Sequence, residues 1–207
     1  MDSVTSLNPK LVILISGKRK SGKDYLTDNL VERYKDIFIL LLFFWIGAGR
    51  TVVIRLSAPI KSHWAKSKNL DLEKLLEPGA YKEHYRLEMI QWGEETRSQD
   101  PGYFCRAAIA MSKAEEKPIW VVSDVRRKTD LAFFHDHYGE RVKTVRVQAS
   151  ERTRLSRNWV FTPGIDDAAS ECNLDDMQNW DSVVHNDGDC GKLGDNLSLI
   201  VSWSKLI

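Results

Sequence analysis

The chain has 207 residues, of which 43% are hydrophobic and 29% are charged. This composition predicts a single folded domain over residues 1–207 and argues against a disordered chain. The chain has 30 Lys and Arg residues and 29 Asp and Glu residues, so its formal net charge is +1. It therefore lacks the basic surplus that is typical of a general nucleic-acid binder. The three cysteines do not have the spacing of a disulfide framework or a metal site, which favours a reducing compartment.

Neither end of the chain carries a complete targeting signal. The first ten residues lack the charged and apolar regions of a secretory signal. Ser204-Lys205-Leu206 resembles a peroxisomal address, but that address must be terminal and Ile207 follows it. The most apolar run, residues 37–48, is shorter than the roughly 20 residues that a membrane-spanning helix needs. These observations predict a cytosolic protein without a membrane span.

Short apolar segments alternate with longer amphipathic ones, which is typical of βαβ units around a parallel sheet. The predicted strands are residues 11–15, 51–56, 119–123, 142–147 and 182–185. The predicted helices are residues 24–34, 80–97, 129–138, 151–157 and 193–205. The sequence therefore predicts an α/β fold with a parallel sheet of about five strands flanked by helices. The run 37–48 fits a buried strand, the end of a helix or an insertion.

A phosphate-binding loop pattern, G-x-x-x-x-G-K, follows the first predicted strand and precedes the first predicted helix. Glycines let the backbone curl so that successive N–H groups face one anion, and the following helix contributes its positive end. Lys23 is placed to reach the β- and γ-phosphates. The predicted nucleotide-binding residues of this loop are Gly17, Lys18, Arg19, Lys20, Ser21, Gly22 and Lys23.

Two carboxylates are candidates for holding Mg²⁺. Asp24 stands where most phosphate-binding loops have the Ser or Thr that binds the metal. It can bind magnesium or simply place a favourable negative charge in the first turn of a helix, and the sequence leaves both interpretations open. Asp124 ends a predicted strand, as a Walker-B-like carboxylate does. Arg126 and Arg127 come directly after it and suit a second anion, because guanidinium groups match phosphate oxygens bidentately.

Further cations follow the other strands and occupy the helices between them. Arg154 and Arg157 precede a Pro-Gly stretch, and we predict a mobile, Arg-rich lid over about residues 151–172. The other cations in this group are Lys61, Lys82, Arg86, Arg97 and Arg106. So many cations suit an enzyme that brings ATP to an acceptor already carrying a phosphate, because unit charges about 4 Å apart interact with about 4 kcal/mol at an effective dielectric of 20. Such an acceptor phosphate is largely ionised at pH 7, so no strong base is needed. A kinase of nucleoside monophosphates and a non-catalytic nucleotide-binding module remain alternatives.

Several segments, taken in order, resemble the animal-type phosphomevalonate kinases. They are SGKRKSGKD, RLSAPIK, YKEHYRLEMIQWGEETRSQDPGYFCR, PIWVVSDVRR, TVRV and RNWVFTPGIDDAASEC. The resemblance implies a phosphate-loop kinase fold like that of nucleoside monophosphate kinases. It also implies transfer of the γ-phosphoryl group of ATP, with Mg²⁺, to (R)-5-phosphomevalonate, giving ADP and (R)-5-diphosphomevalonate. That reaction belongs to the mevalonate route to isoprenoids and sterols, and we expect a monomer.

The resemblance also assigns roles to individual residues. It implies that residues 18–24 cradle ATP and that Lys18, Lys23, Asp24 and Arg126 are catalytic. Arg157 becomes the lid arginine on ATP, and Asp187 and Asn196 fall at further ATP contacts, where family members carry His and Gln. The implied substrate-binding residues are Lys61, Arg86, Arg97, Arg106, Arg126, Arg127, Arg146 and Asn186. The run 37–48 makes the connection after the first helix longer than the family's and is expected to be an insertion.

Overall fold

The computed structural model describes residues 9–41, 50–77 and 79–206. Five strands form one parallel sheet in the order β2-β3-β1-β4-β5. The strands are β1 (Leu11–Gly17), β2 (Thr51–Ile54), β3 (Ile119–Val125), β4 (Val142–Gln148) and β5 (Ser182–His185). The predicted five-stranded parallel sheet is confirmed. Because β1 lies between β3 and β4, the segment that follows β1 opens at the centre of the carboxyl edge of the sheet.

Helices cover both faces of the sheet. Their bounds are α1 (Lys23–Leu41), α2 (Ala58–Ser67), α3 (Leu72–Leu76), α4 (Ala80–Gln99), α5 (Tyr103–Met111), α6 (Lys128–Tyr138), α7 (Glu151–Ser156), α8 (Ala169–Cys172) and α9 (Cys190–Ser202). Three short 3₁₀ turns, Ala114–Glu116, Gly139–Arg141 and Trp203–Leu206, complete the described elements. Among the residues that the structure describes, no helix has the length and apolarity needed to cross a membrane.

The alternation of side chains along the strands divides the main core into two layers. Val12 and Leu14 of β1 face α5 and α6, whereas Ile13 and Ile15 face α1 and α9. Such continuous apolar strands are expected in a parallel sheet that is covered on both faces. A smaller cluster joins Trp64 of α2 to the α3 and α4 helices. The helices α2, α3 and α4 therefore form a separate packed layer beside the carboxyl edge.

The structure differs from the predicted elements mainly between β2 and β3. Residues 58–67, 72–76 and 103–111 are helices that the sequence pattern did not predict, so Lys61 and Arg106 lie on α2 and α5. Pro59 lies in the first turn of α2, where Pro is well tolerated, and Pro101-Gly102 directly precede α5. The α1 helix continues to Leu41, and residues 42–48 of the apolar run lie outside the described residues.

Candidate functional site

The loop between β1 and α1 needs glycine at both of its pattern positions. A Cβ atom on Gly17 would lie 2.5 Å from the backbone oxygen of Val147. Gly22 has φ +92°, and a Cβ atom there would overlap the side-chain amide of Asn186. The left-handed backbone at Gly22 is readily accessible only to glycine. These contacts pack the loop tightly against the ends of β4 and β5.

Lys23 begins α1 and bends back over the loop. Its Nζ donates hydrogen bonds to the backbone oxygens of Gly17, at 2.5 Å, and Lys18, at 3.0 Å. Burial and then the positive charge of Arg126 lower the pKa of Lys23 to about 7, while the negative charge of Glu171 acts in the opposite direction. A bound phosphate would supply further negative charge and favour the protonated form.

Arg157 and Asn186 hold the outer side of the same loop. Arg157 Nη1 donates to the backbone oxygens of Lys20 and Ser21, both at 3.1 Å, and its Nη2 donates to the Asn186 backbone oxygen at 2.8 Å. The Asn186 amide also donates to the Ser21 oxygen at 2.9 Å. Two loop carbonyls are thus engaged by residues from the carboxyl-terminal third of the chain.

Three contiguous cavities surround the phosphate-binding loop. The largest, which we term the central cleft, has a volume of about 920 Å³ and is bordered by Gly22, Lys23 and Arg126. A side pocket of about 410 Å³ shares Gly22 and Arg157 with the cleft and continues towards the start of α9. An inner pocket of about 150 Å³ opens from the other side of the cleft. The residues common to the cleft and the inner pocket are Ser57, Lys61, Lys82, Arg86, Asp124 and Arg126.

The inner pocket combines aliphatic walls with charged groups. Its aliphatic side chains are Leu56, Ile60, Met89, Ile90 and Ile165. Arg127 is buried there and pairs with Glu94 of α4. Arg97 Nε is buried, lies 3.8 Å from Asp130 Oδ1 and has no hydrogen-bond partner among the described residues. A buried N–H group without a partner is unfavourable, so Arg97 is suited to an anionic ligand.

Two lysines at the mouth of the inner pocket have lowered pKa values. Burial lowers the pKa of Lys61. Burial, followed by the charges of Lys61 and Arg86, lowers the pKa of Lys82 to about 8. The like charges are therefore held close together before any anion is bound.

The two candidate magnesium carboxylates differ in their surroundings. The exposed side chain of Asp24 borders the central cleft beside Lys23. Asp124 also borders the cleft, but its Oδ1 and Oδ2 accept hydrogen bonds from the backbone N–H groups of Leu56 and Ser57 at 2.6 and 3.0 Å. Carboxylate oxygens suit Mg²⁺, so both residues fit the ion. Asp124 additionally fixes the turn into α2.

The structure does not bring all predicted site residues into these three cavities. Lys18, Ser21, Arg146 and Asp187 border a rear cavity of about 560 Å³ that shares no lining residue with them. There Asp175 pairs with Lys18 at 2.6 Å and with Arg146 at 2.9 Å.

Asp187 and two further predicted positions, Arg106 and Asn196, form only local contacts. Hydrogen bonds from Thr153 and Ser150 lower the pKa of Asp187 to about 2. Arg106 pairs with Asp100, and the Asn196 side chain donates to the Lys192 oxygen at 2.8 Å. Neither Arg106 nor Asn196 borders the cavities described above. The predicted binding roles of these residues and of Lys18 and Arg146 stay predictions that their surroundings do not favour.

Sequence reasoning missed the buried carboxylates that accompany the cations. Asp166 accepts a hydrogen bond from Arg19 Nη1 at 2.8 Å and from Trp159 Nε1 at 2.8 Å. Glu171 accepts the backbone N–H of Arg19 at 2.9 Å and pairs with Arg126. Both lie within the predicted lid, and no local pattern distinguishes them from surface charges. The surplus of arginines facing one cleft is the signal that could have indicated buried counter-charges.

Comparison with known proteins identifies the family of this chain. A family model described as phosphomevalonate kinase matches residues 15–140. A curated Drosophila melanogaster protein named phosphomevalonate kinase is 47% identical over 180 residues, which cover 85% of this chain and 88% of that protein. The chain belongs to the phosphomevalonate kinase family. In this phosphomevalonate kinase family member, the matched segment runs from the end of β1 to beyond α6 and so includes the loop, Arg126 and Arg127.

Two solved structures align with most of this chain. A gluconokinase from Sinorhizobium meliloti aligns with a TM-score of 0.49 and 12% identity over 95% of this chain and 93% of its own. A sugar kinase from Janibacter aligns with a TM-score of 0.44 and 8% identity over 95% of each chain.

Proposed function

We propose that the protein transfers the γ-phosphoryl group of ATP to (R)-5-phosphomevalonate, giving ADP and (R)-5-diphosphomevalonate in the mevalonate route to isoprenoids and sterols. The observation that carries this proposal is the continuity of the side pocket, the central cleft and the inner pocket across the phosphate-binding loop. Family membership supports the same acceptor.

The proposed nucleotide position follows the loop. The base and ribose occupy the side pocket, between Arg157 and the start of α9. The phosphates lie on the loop in the central cleft, where Lys23 and the positive end of α1 favour negative charge. Asp24 and Asp124 would hold Mg²⁺, which neutralises charge on the β- and γ-phosphates when it is bound.

The proposed acceptor lies in the inner pocket, with its phosphate towards Arg126 and the rest of the molecule towards Arg97 and Arg127. An oxygen of this phosphate attacks the γ-phosphorus, and the bond from that phosphorus to the bridging oxygen of ADP breaks. The acceptor phosphate is already largely ionised at neutral pH, so the protein mainly positions the reactants and stabilises charge. Lys23 stabilises the negative charge that develops on the departing β-phosphate.

The aliphatic lining of the inner pocket favours this acceptor over a nucleoside monophosphate. Leu56, Ile60, Met89, Ile90 and Ile165 suit a branched aliphatic chain, and no aromatic ring is among the described residues that line the pocket. A non-catalytic module would not need a second cationic pocket directly beyond the nucleotide phosphates.

Other parts of the proposal concern the whole molecule. We take residues 1–207 as one domain that acts as a monomer, with its lid segment, residues 151–172, closing over the bound substrates. A cytosolic location agrees with the three free cysteines, and cations that face local cavities agree with small-molecule substrates rather than nucleic acid.

The test is an acceptor panel with the purified protein. ADP release is measured with phosphomevalonate, AMP, CMP, UMP and dTMP, and the product is identified by its phosphorus NMR spectrum. We expect a diphosphate product from phosphomevalonate alone. Turnover of a nucleoside monophosphate without turnover of phosphomevalonate would replace this proposal with the alternative kinase. Tight ATP binding with no transfer to any acceptor would indicate a binding module.

A further inference from the structure

Arg126 is the residue at which the central cleft and the inner pocket meet. It directly follows β3, and its backbone N–H donates to Asp130 at 3.1 Å. Its side chain borders both cavities. In the proposed reaction, this is the point where the γ-phosphoryl group and the acceptor phosphate come together. The orientation of its guanidinium group therefore matters for transfer.

One edge of that guanidinium group is anchored to the lid segment. Its Nη1 donates to the backbone oxygen of Ser170 at 3.1 Å and to the carboxylate of Glu171. Both described hydrogen bonds of the guanidinium come from this one nitrogen, so Nη2 and Nε stay available to a ligand. A carboxylate that merely took the place of a substrate phosphate would be expected to accept hydrogen bonds from two nitrogens of the guanidinium group. Because Glu171 contacts only Nη1, it holds the guanidinium group in place and leaves the other two nitrogens to a ligand.

The other oxygen of Glu171 reaches the phosphate-binding loop. Glu171 Oε2 accepts the backbone N–H of Arg19 at 2.9 Å, and the side chain is only 4% exposed. A buried carboxylate is costly unless its oxygens are matched by donors, and here the two oxygens are matched by Arg126 and Arg19. One side chain thus ties the nucleotide loop to the arginine that borders the acceptor pocket.

We propose that Glu171 is a positioning residue for phosphoryl transfer, which fixes Arg126 relative to the phosphate-binding loop so that its free N–H groups face both substrates. This inference rests on the proposed function for the identity of the acceptor. The role is indirect, because Glu171 acts by holding Arg126 at the loop rather than on the reacting atoms. Its contribution should therefore appear in kcat and vanish when Arg126 is absent.

The test is a double-mutant cycle of Glu171→Gln and Arg126→Met, measured with phosphomevalonate and saturating ATP. We expect Glu171→Gln to lower kcat by about 10–100-fold, since small displacements of positioned groups can cost about 10²-fold, while the KM for ATP is unchanged. The double variant should be no slower than Arg126→Met alone, because residues that act as a unit are not additive. Glu171→Asp, which keeps the charge, should recover part of kcat.

Asp176→Asn is the matched control. Asp176 lies just after the lid segment and likewise pairs with a cation, Lys128, but both of these side chains are exposed, at 67% and 57%. We expect this variant to keep the kcat of the parent protein, because exposed ion pairs contribute little. Thermal unfolding identifies variants that fold. If Glu171→Gln does not fold, the Asp variant takes its place in the cycle.

Two results would overturn the inference. They are a wild-type kcat for folded Glu171→Gln, and additive losses in the double variant, which would mean that Glu171 acts independently of Arg126. If the unmodified protein does not phosphorylate phosphomevalonate, the proposed function fails first. The same cycle is then measured on the dissociation constant of pyrophosphate by calorimetry. If the losses of pyrophosphate affinity in the two single variants add up in the double variant, the link between Glu171 and Arg126 is rejected. If they do not add up, the link is retained.

Discussion

The central cleft and the rear cavity both border the phosphate-binding loop, and both contain cations, yet their charges are arranged differently. In the cleft, Lys23 and Lys82 have lowered pKa values, because they are buried and also lie near other cations. In the rear cavity, Lys18 and Arg146 share Asp175 as a counter-charge. The comparison shows that counting cations near a loop does not locate an anion site. Lysines that are buried beside other cations, such as Lys23 and Lys82, are better candidates than a lysine such as Lys18, whose charge a carboxylate already neutralises.

The largest expected difference between the two regions is between Lys23 and Lys18. Lys23→Met should lower kcat by about 10²–10³-fold, the size of effect seen when one preorganised stabilising group is removed. Lys18→Met should change kcat by less than about fivefold, because a partly exposed ion pair is worth about 0–1 kcal/mol. Steady-state kinetics with saturating substrates measures both. Equal losses would restore the catalytic role that the sequence predicted for Lys18.

The second comparison concerns the acceptor and uses two arginines. Arg97→Met should raise the KM for phosphomevalonate by about 10–100-fold without changing the KM for ATP, since a hydrogen bond to a charged group contributes about 1.5–3 kcal/mol. Arg146→Met should leave the acceptor KM unchanged and lower the melting temperature, because Asp175 loses a partner. Initial rates at varied acceptor concentration distinguish the two. A raised acceptor KM in Arg146→Met would place the substrate in the rear cavity.

The smallest effect is a pH dependence. At saturating ATP, the kcat/KM for the acceptor should fall a few-fold as pH rises through about 8, because burial, Lys61 and Arg86 lower the pKa of Lys82 and the neutral amine no longer attracts an anion. Lys82→Arg should remove this fall, since an arginine stays charged. The kcat/KM profile from about pH 6.5 to 9.5 provides the measurement. Persistence of the fall in the variant would assign it to another group, such as Lys61.

Local patterns predicted the framework well. The G-x-x-x-x-G-K loop and its flanking strand and helix are determined by contiguous residues, and the β-branched strands are continuous apolar segments, so both were visible in the sequence. Helices α2 and α5 were not predicted, although Pro59 lies in the first turn of α2, a position that Pro favours.

The side of the sheet on which a cation lies was harder to predict. Val145 and Val147 pack in the layer with α1 and α9, so Arg146 between them points to the opposite face. The two-residue period of the strand is sufficient to indicate this. The partners of Arg126 and Arg19 could not be found in the same way, because Glu171 and Asp166 are joined to them across long stretches of chain by tertiary packing.

The position of β1 in the middle of the sheet has a consequence for how the protein is made. On the ribosome, β1 and its glycine loop emerge before β4, Arg157 and Asn186, which pack against that loop and follow more than a hundred residues later. Nucleotide can therefore favour the native fold only after Asn186 has been synthesised. Until β4 pairs with it, β1 has an unpaired edge, and the nascent chain must avoid aggregation through that edge.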